Sequence, residues 1–256
     1  SMKKAFQILS LLIISVFSFE SASANVSLAN ETIKYKVIYK WGLVHKQAGT
    51  ATIRLTRNGN TYHSLATAKS DPWADKFYRL RDTLRSTMHA PDYSPSRYEY
   101  IAHEDGKYSH DIVTFSKSGN TVTGKCTRTR KPKKEKIAKT EHRTLTAEGM
   151  TVDMLSSFYY LRALDFQNMK PGEKKSINIF SGKRKELLTF TYSGQEQIKV
   201  DGKMQNTYKV TFTFTSDGKK KSSEPIQAWV STGPQRIPLK LIGKLKIGQV
   251  QCIYYQ

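Results

Sequence analysis

The sequence predicts a mainly β protein: one curved antiparallel sheet (a half-barrel, a barrel or a sandwich-like pair of layers) covered by a single helix near 153–166. Three observations predict this. Apolar and polar residues alternate with period two over most of the chain. Turn signals built on Gly, Asn, Asp and Pro recur between the alternating runs. Only one segment follows a helical period convincingly, and a lone helix in such a chain commonly covers one mouth of the sheet.

The elements follow in order. Ile33, Tyr35, Val37, Tyr39 and Trp41 share one face of the first strand, with Lys34, Lys36 and Lys40 mostly on the other. Ala51, Ile53 and Leu55 alternate with Thr52, Arg54 and Thr56. Asn58-Gly59-Asn60 then turns the chain, because Asn and Gly tolerate positive φ, and 61–69 returns as a strand. Residues 71–82 lose the alternation and read as a short helix or structured loop, with Trp73, Phe77 and Leu80 at helical spacing. A hairpin is expected over 97–104 and 107–115 around Asp105-Gly106, followed by a strand at 121–129. Further strands are expected at 176–180, 186–192, 195–200, 205–214, 227–231 and 239–255. Met154, Leu155, Phe158, Leu161 and Leu164 give the helix its apolar face, with Asp153 or Thr151 as its cap.

Residues 1–24 have the form of a removed secretory signal: Lys3-Lys4, an apolar run over 5–19, then Ser21-Ala22-Ser23-Ala24. The run falls short of the roughly 20 residues that span a bilayer. No Cys stands at the cut to take a lipid. The expected product is one β-rich domain, 25–256, in the periplasm or outside the cell, with no transmembrane span.

Lys and Arg number 42 against 21 Asp and Glu, a formal charge of +21. Such a surface attracts polyanions and anionic membranes. Export makes nucleic acid an unexpected partner and leaves a lipid-like ligand, an anionic glycan or an envelope protein. The segment 125–143 is the most basic and reads as an exposed linker or hairpin tip. Its Arg128, Arg130, Lys131, Lys133, Lys134 and Lys136 are candidate polyanion-binding residues.

With 14 Tyr, 11 Phe and 3 Trp, a curved sheet could enclose an apolar site or simply fill its core. Trp41, Trp73, Phe77, Tyr78, Phe158 and Tyr159 are the candidate ligand-binding aromatics. Asp82, Asp153 and Arg162 are charges embedded in apolar strips, which need partners. They read as structural, with Asp82, between Arg81 and Arg85, anchoring its strand to the helix. Cys126 and Cys252 either pair, closing a loop worth roughly 4–5 kcal/mol, or stand as separate buried thiols.

Catalytic signals are sparse. His103-Glu104-Asp105 with His110 across a turn could contribute to a zinc site, which wants three or four such ligands, or could be a polar hairpin end. No Gly-x-Ser-x-Gly elbow or Gly-rich phosphate loop is present. No cofactor or metal is expected.

Four segments carry a resemblance to a family of exported bacterial proteins, domain of unknown function 3108. The run Phe77-Tyr78-Arg79-Leu80-Arg81-Asp82-Thr83-Leu84-Arg85-Ser86 resembles its Arg/Val-Asp-x-x-x-Ser strip. Asp153-Met154-Leu155-Ser156-Ser157-Phe158-Tyr159-Tyr160-Leu161-Arg162 is similar to its helix, and Lys170-Pro171-Gly172-Glu173 to the turn that follows. Trp229-Val230-Ser231, Arg236-Ile237-Pro238-Leu239 and Ile247-Gly248 resemble its closing pattern, with Thr232-Gly233-Pro234 where an acidic pair is usual. The resemblance spans 33–255. It implies a periplasmic antiparallel β protein and brings no mechanism or catalytic residues.

The expected function is therefore that of a non-catalytic envelope protein binding an apolar or amphipathic ligand, or a partner protein, on the curved sheet. A polyanion-binding protein acting through 125–143 and a metal-dependent hydrolase around His103 and His110 are the alternatives.

Overall fold

The structure is a computed structural model that describes residues 27–90 and 92–256; the signal expected at 1–24 lies outside them. The first half of the wall is β1 (Glu31–Trp41), β2 (Val44–Asn58), β3 (Thr61–Ser70), β4 (Leu80–His89), β5 (Pro95–Glu104), β6 (Lys107–Ser118), β7 (Thr121–Lys131) and β8 (Lys139–Glu148). A short helix α1 (Pro72–Asp75) joins β3 to β4. After β9 (Thr151–Val152), helix α2 (Ser156–Arg162) and a 3-10 turn (Phe166–Asn168) come β10 (Lys174–Phe180), β11 (Lys185–Val200), β12 (Lys203–Ser216), β13 (Ile226–Ser231), β14 (Pro238–Lys244) and β15 (Gln249–Tyr255).

All the strands belong to one sheet in the order β8-β7-β6-β5-β4-β3-β2-β1-β15-β14-β13-β12-β11-β10-β9. Each pairing is antiparallel except that of β9 with β10. The chain thus runs up and down around a wall, β1 meets β15 in its middle, and the two edges, β8 and β9, are joined by Gly149-Met150. The wall curls until these edges approach, giving a nearly closed barrel. Aromatic packing holds the seam. The ring of Phe180 (β10) stacks on that of Phe115 (β6) at 5.8 Å. It also lies over Gly124 of β7, where a Cβ would stand 2.5 Å from the ring. Nη1 of Arg143 (β8) donates to the Lys183 carbonyl at 2.7 Å. Gly124→Ala therefore forces a packed ring aside, and a loss of about 1–3 kcal/mol is expected in urea unfolding. Unchanged stability would contradict this seam.

The period-two pattern decides which side is inside. Ile33, Tyr35, Val37 and Tyr39 of β1 are buried, as are Ala51, Ile53 and Leu55 of β2, while the Lys and Thr residues between them face out. Apolar-in and polar-out is the reverse of a lipid-embedded barrel. Among the described residues no helix is long and apolar enough to cross a membrane.

The helical segment enters the barrel instead of lying over its rim. Leu155, Phe158, Tyr159, Leu161 and Phe166 are all buried. Phe166 stacks on Tyr208 of β12 at 4.9 Å, and Tyr159 on Tyr93 at 6.0 Å. The plug touches inner faces from both halves of the wall and fills the core beside one end.

Two strand expectations change. The separate strands at 186–192 and 195–200 are one strand, β11, bent by a bulge at Tyr192/Gly194, where Gly194 takes φ +99°. The single strand at 239–255 is a hairpin, turned at 245–248, with Gly248 at φ +79°. Of the two readings of the basic segment 125–143, it takes the hairpin tip: the end of β7, a tip at 132–138 and the start of β8.

Candidate functional site

The embedded charges fix the plug. Asp153 Oδ1 accepts the amides of Leu155 and Ser156, both at 2.7 Å, and so caps the turn entering α2. Its Oδ2 accepts the Ser86 hydroxyl of β4 at 2.5 Å. Burial nevertheless pushes Asp153 up to about 6, against the lowering effect of those hydrogen bonds. The hydroxyls of Tyr159 and Ser64 (β3) lie 2.6 Å apart. Arg162, wholly buried, forms a two-pronged pair with Glu31 at the start of β1. It also donates through Nε to the Arg236 carbonyl at 2.9 Å and through Nη2 to the Gln235 carbonyl at 2.8 Å. Its guanidinium lies over the rings of Phe158 and Tyr159.

Asp82 does not anchor the helix. Alternation turns Arg81 and Arg85 outward, Arg81 pairs with Asp75 of α1 at 2.8 Å, and the contact to the helix comes from Ser86, four residues on. Asp82 faces inward at the other end of β4 beside the Glu104 carboxyl, with the Tyr100 hydroxyl 3.4 Å from its Oδ2 and no hydrogen-bond partner for its buried Oδ1 among the described residues. Tyr78 and Tyr100 donate to Glu104 at 2.8 and 3.2 Å. Burial first, then the Glu104 charge, pushes Asp82 up to about 9, so it stays protonated at neutral pH.

Arg128 and Arg130 complete this inner polar layer. Both are on the inward face of β7 and meet Asp111 of β6: Arg130 with two hydrogen bonds of 2.7 and 2.8 Å, Arg128 through Nε at 3.4 Å. Arg128 also donates to Glu141 of β8 at 2.9 Å. These two arginines are thus spent on internal pairs and do not offer themselves to a polyanion. Lys131 half-emerges, and Lys133, Lys134 and Lys136 stand exposed on the β7–β8 tip, Lys133 lying 3.3 Å from Asp105.

The histidine cluster comes apart for the same reason of alternation. His103 points out and its neighbour Glu104 points in, while His110 pairs with Glu99 at 2.8 Å. Among the described residues no group of three metal-ligating side chains forms. Cys126 and Cys252 are separate buried thiols on β7 and β15. Burial pushes them up to about 11 and about 12, so neither is a reactive thiolate.

The six candidate aromatics do not line one cavity. Phe158 and Tyr159 are in the plug and Tyr78 is buried against Glu104. Trp41 and Phe77 are exposed and Trp73 is half-buried, all three on the opposite rim. Between the rims the inward side chains pack against one another. The hollow nearest the β8–β9 edge, lined by Phe115, Val122 and Met150, holds about 180 Å³, below the ~300 Å³ at which small-ligand pockets begin. Larger hollows, of about 580 and 420 Å³, are open grooves on the outer wall that share Arg81 and His103.

In an up-and-down wall, alternate connections open at the same end. The links β1–β2, β3–β4, β5–β6, β7–β8, β10–β11, β12–β13 and β14–β15 share the end opposite the plug. They carry Lys40 and Lys46, Lys76 and Arg79, Lys107, the lysines of the β7–β8 tip, Lys183-Arg184-Lys185, Lys219-Lys220-Lys221, and Lys244 and Lys246. The plug end is more evenly mixed, with Arg57, Lys117, Lys170, Lys199 and Lys203 against Asp92, Glu148, Asp165, Glu173 and Asp201, whereas Asp75, Asp105, Glu135, Asp217 and Glu224 are outnumbered by the lysines and arginines of the basic end. Sequence reading located one of these basic segments and missed that seven connections converge, because convergence follows from strand pairing.

Residues 34–252 match the family described as Protein of unknown function (DUF3108). The chain belongs to this family. Within this DUF3108 fold, the segments that carry the resemblance meet: Ser86 touches Asp153, and Arg162 touches the Gln235-Arg236 turn. A β-barrel-like protein of domain of unknown function DUF1849 from Brucella abortus is similar in fold, with TM-score 0.60 and 12% identity over 90% of this chain and 97% of that one. Weaker likenesses, both at TM-score 0.33, are to a candidate exported protein with a YmcC-like fold from Bacteroides fragilis and a candidate lipoprotein from Parabacteroides distasonis. The first has 9% identity over 89% of this chain and 95% of that one. The second has 8% identity over 91% of this chain and 98% of that one. No curated protein matches the sequence.

Proposed function

We propose that this DUF3108 protein is an exported, non-catalytic envelope protein that binds an anionic partner through the basic end of its barrel. The observation that carries this is the gathering of lysine-rich connections at one end, while the interior is taken up by the plug and by paired charges. The inward side chains of the described residues pack on the plug and on one another, which favours an outside surface over the apolar or amphipathic site expected from sequence. The polyanion reading moves from the β7–β8 hairpin alone to the whole end. The leader pattern at 1–24 supports export.

Counterion release sets the test. The protein is expected to stay on heparin at physiological salt and to elute later than its mass and shape alone would give. Reversing Lys219, Lys220 and Lys221 to Glu should bring elution to clearly lower salt. Reversing Lys199 and Lys203, on the β11–β12 turn at the plug end, should move it far less. Elution at physiological salt, or equal effects from the two ends, would overturn the reading.

A further inference from the structure

Large apolar side chains stand exposed on adjoining turns of the basic end. Trp41 (56% exposed), Leu43 (104%) and Val44 form the β1–β2 turn, Ile247 (46%) lies on the β14–β15 turn, and Phe77 (60%) follows α1. Because β1 pairs with both β2 and β15, the two turns stand side by side. Gly248 permits the contact: a Cβ there would meet the Lys40 carbonyl at 2.4 Å and the Trp41 Cβ at 3.1 Å. The Tyr39 hydroxyl donates to the Ile247 carbonyl at 3.4 Å. On the other flank, Trp73 Nε1 donates to the Gln47 carbonyl of β2 at 2.7 Å, Lys46 Nζ sits 4.2 Å over the Trp73 ring, and Phe77 meets that ring edge-on at 6.3 Å. The apolar side chains therefore stand on supported, adjoining turns, with Lys40, Lys46, Lys76, Lys244 and Lys246 among them and an open hollow of about 380 Å³ between the β1–β2 and β14–β15 turns.

Such a patch exposes apolar surface to water at a cost unless something covers it. The projecting side chains and the lysines between them decide what. A protein partner would have to supply a matching hollow for each projecting turn, whereas a fluid lipid interface supplies none and needs none. Trp and aliphatic side chains partition to the boundary between headgroups and acyl chains, and lysines around them meet phosphate oxygens. We infer that the patch is a membrane-docking tip, which inserts Trp41, Leu43 and Ile247 into the interface of an anionic phospholipid bilayer while the surrounding basic loops lie on its headgroups. This rests on the reading that the basic end engages anions, and names their source.

Co-sedimentation with vesicles of phosphatidylglycerol and phosphatidylcholine, compared with phosphatidylcholine alone, tests it. The protein is expected to bind only the anionic vesicles, with a blue shift of tryptophan emission that the Trp41→Phe variant lacks. The double variant Trp41→Ser, Leu43→Ser alters only exposed positions and no charge, so it should unfold thermally like the parent. It should partition at least tenfold more weakly into anionic vesicles and remain unchanged on heparin. Vesicle binding unaffected by the double variant, or a parent protein held by heparin and indifferent to vesicles, would overturn the insertion and leave the anion reading standing. A parent protein held by neither would end both.

Discussion

Arg162→Ala is expected to lower the free energy of unfolding by about 3–5 kcal/mol, the range for removing one partner of a buried ion pair. The substitution leaves Glu31 without its counter-charge and the Gln235 and Arg236 carbonyls without a donor. It also opens a cavity beneath Phe158 and Tyr159. For a domain of this size the midpoint of thermal unfolding should fall on the order of 10 °C. Arg162→Lys should recover little, because an ammonium cannot span a two-pronged carboxylate and two carbonyls from one centre. Glu31→Gln keeps an acceptor in place and should cost markedly less. Thermal melts of the three variants check the ranking. Equal, small losses would show that the plug is held by packing alone.

Asp82→Asn is expected to stabilise the protein at neutral pH. The wild-type acid is pushed up to about 9 in the fold, by burial first and then by Glu104, against about 3.9 in the unfolded chain. Between those values the folded state holds a proton that the unfolded state has lost, so stability declines as pH rises and is regained only toward pH 4. At pH 7 the penalty is on the order of 4 kcal/mol. Asp153, pushed up to about 6, adds a slope of the same sign that ends near pH 6. The interval from pH 6 to 8 therefore belongs to Asp82, and wild-type stability should fall across it by roughly 3 kcal/mol. In Asp82→Asn the side chain is neutral at every pH, and the slope should vanish. Urea unfolding at pH 6, 7 and 8 measures both curves. Parallel curves would place the ionised form of Asp82 in the native state.

The barrel was legible because its cause is local. Ile33 to Tyr39 and Ala51 to Leu55 alternate in the chain as they do across the wall, and Asn-Gly and Asp-Gly turns declare themselves by their need for positive φ. What escaped depends on partners distant in sequence. Arg128 and Arg130 look like surface charge until Asp111, on the neighbouring strand, is seen to face them. Ser86 looks ordinary until strand register brings Asp153 to it from 67 residues away. Gly194 and Gly248 mark a bulge and a turn, two uses of the same conformational freedom that the residue alone does not tell apart. The basic segment was visible as composition. Its six companion loops were not visible as a surface, because only the up-and-down pairing sends them to one end.

Hydrogen–deuterium exchange with and without phosphatidylglycerol vesicles tests most directly whether a filled barrel acts through one outer end. Protection is expected at 41–46, 76–79, 131–139 and 244–248, with α2 and the turns at 199–203 and 232–236 unchanged. Lipid-dependent changes centred on α2 or on the inward strands would contradict it, since they would mean that the interior opens to receive a ligand.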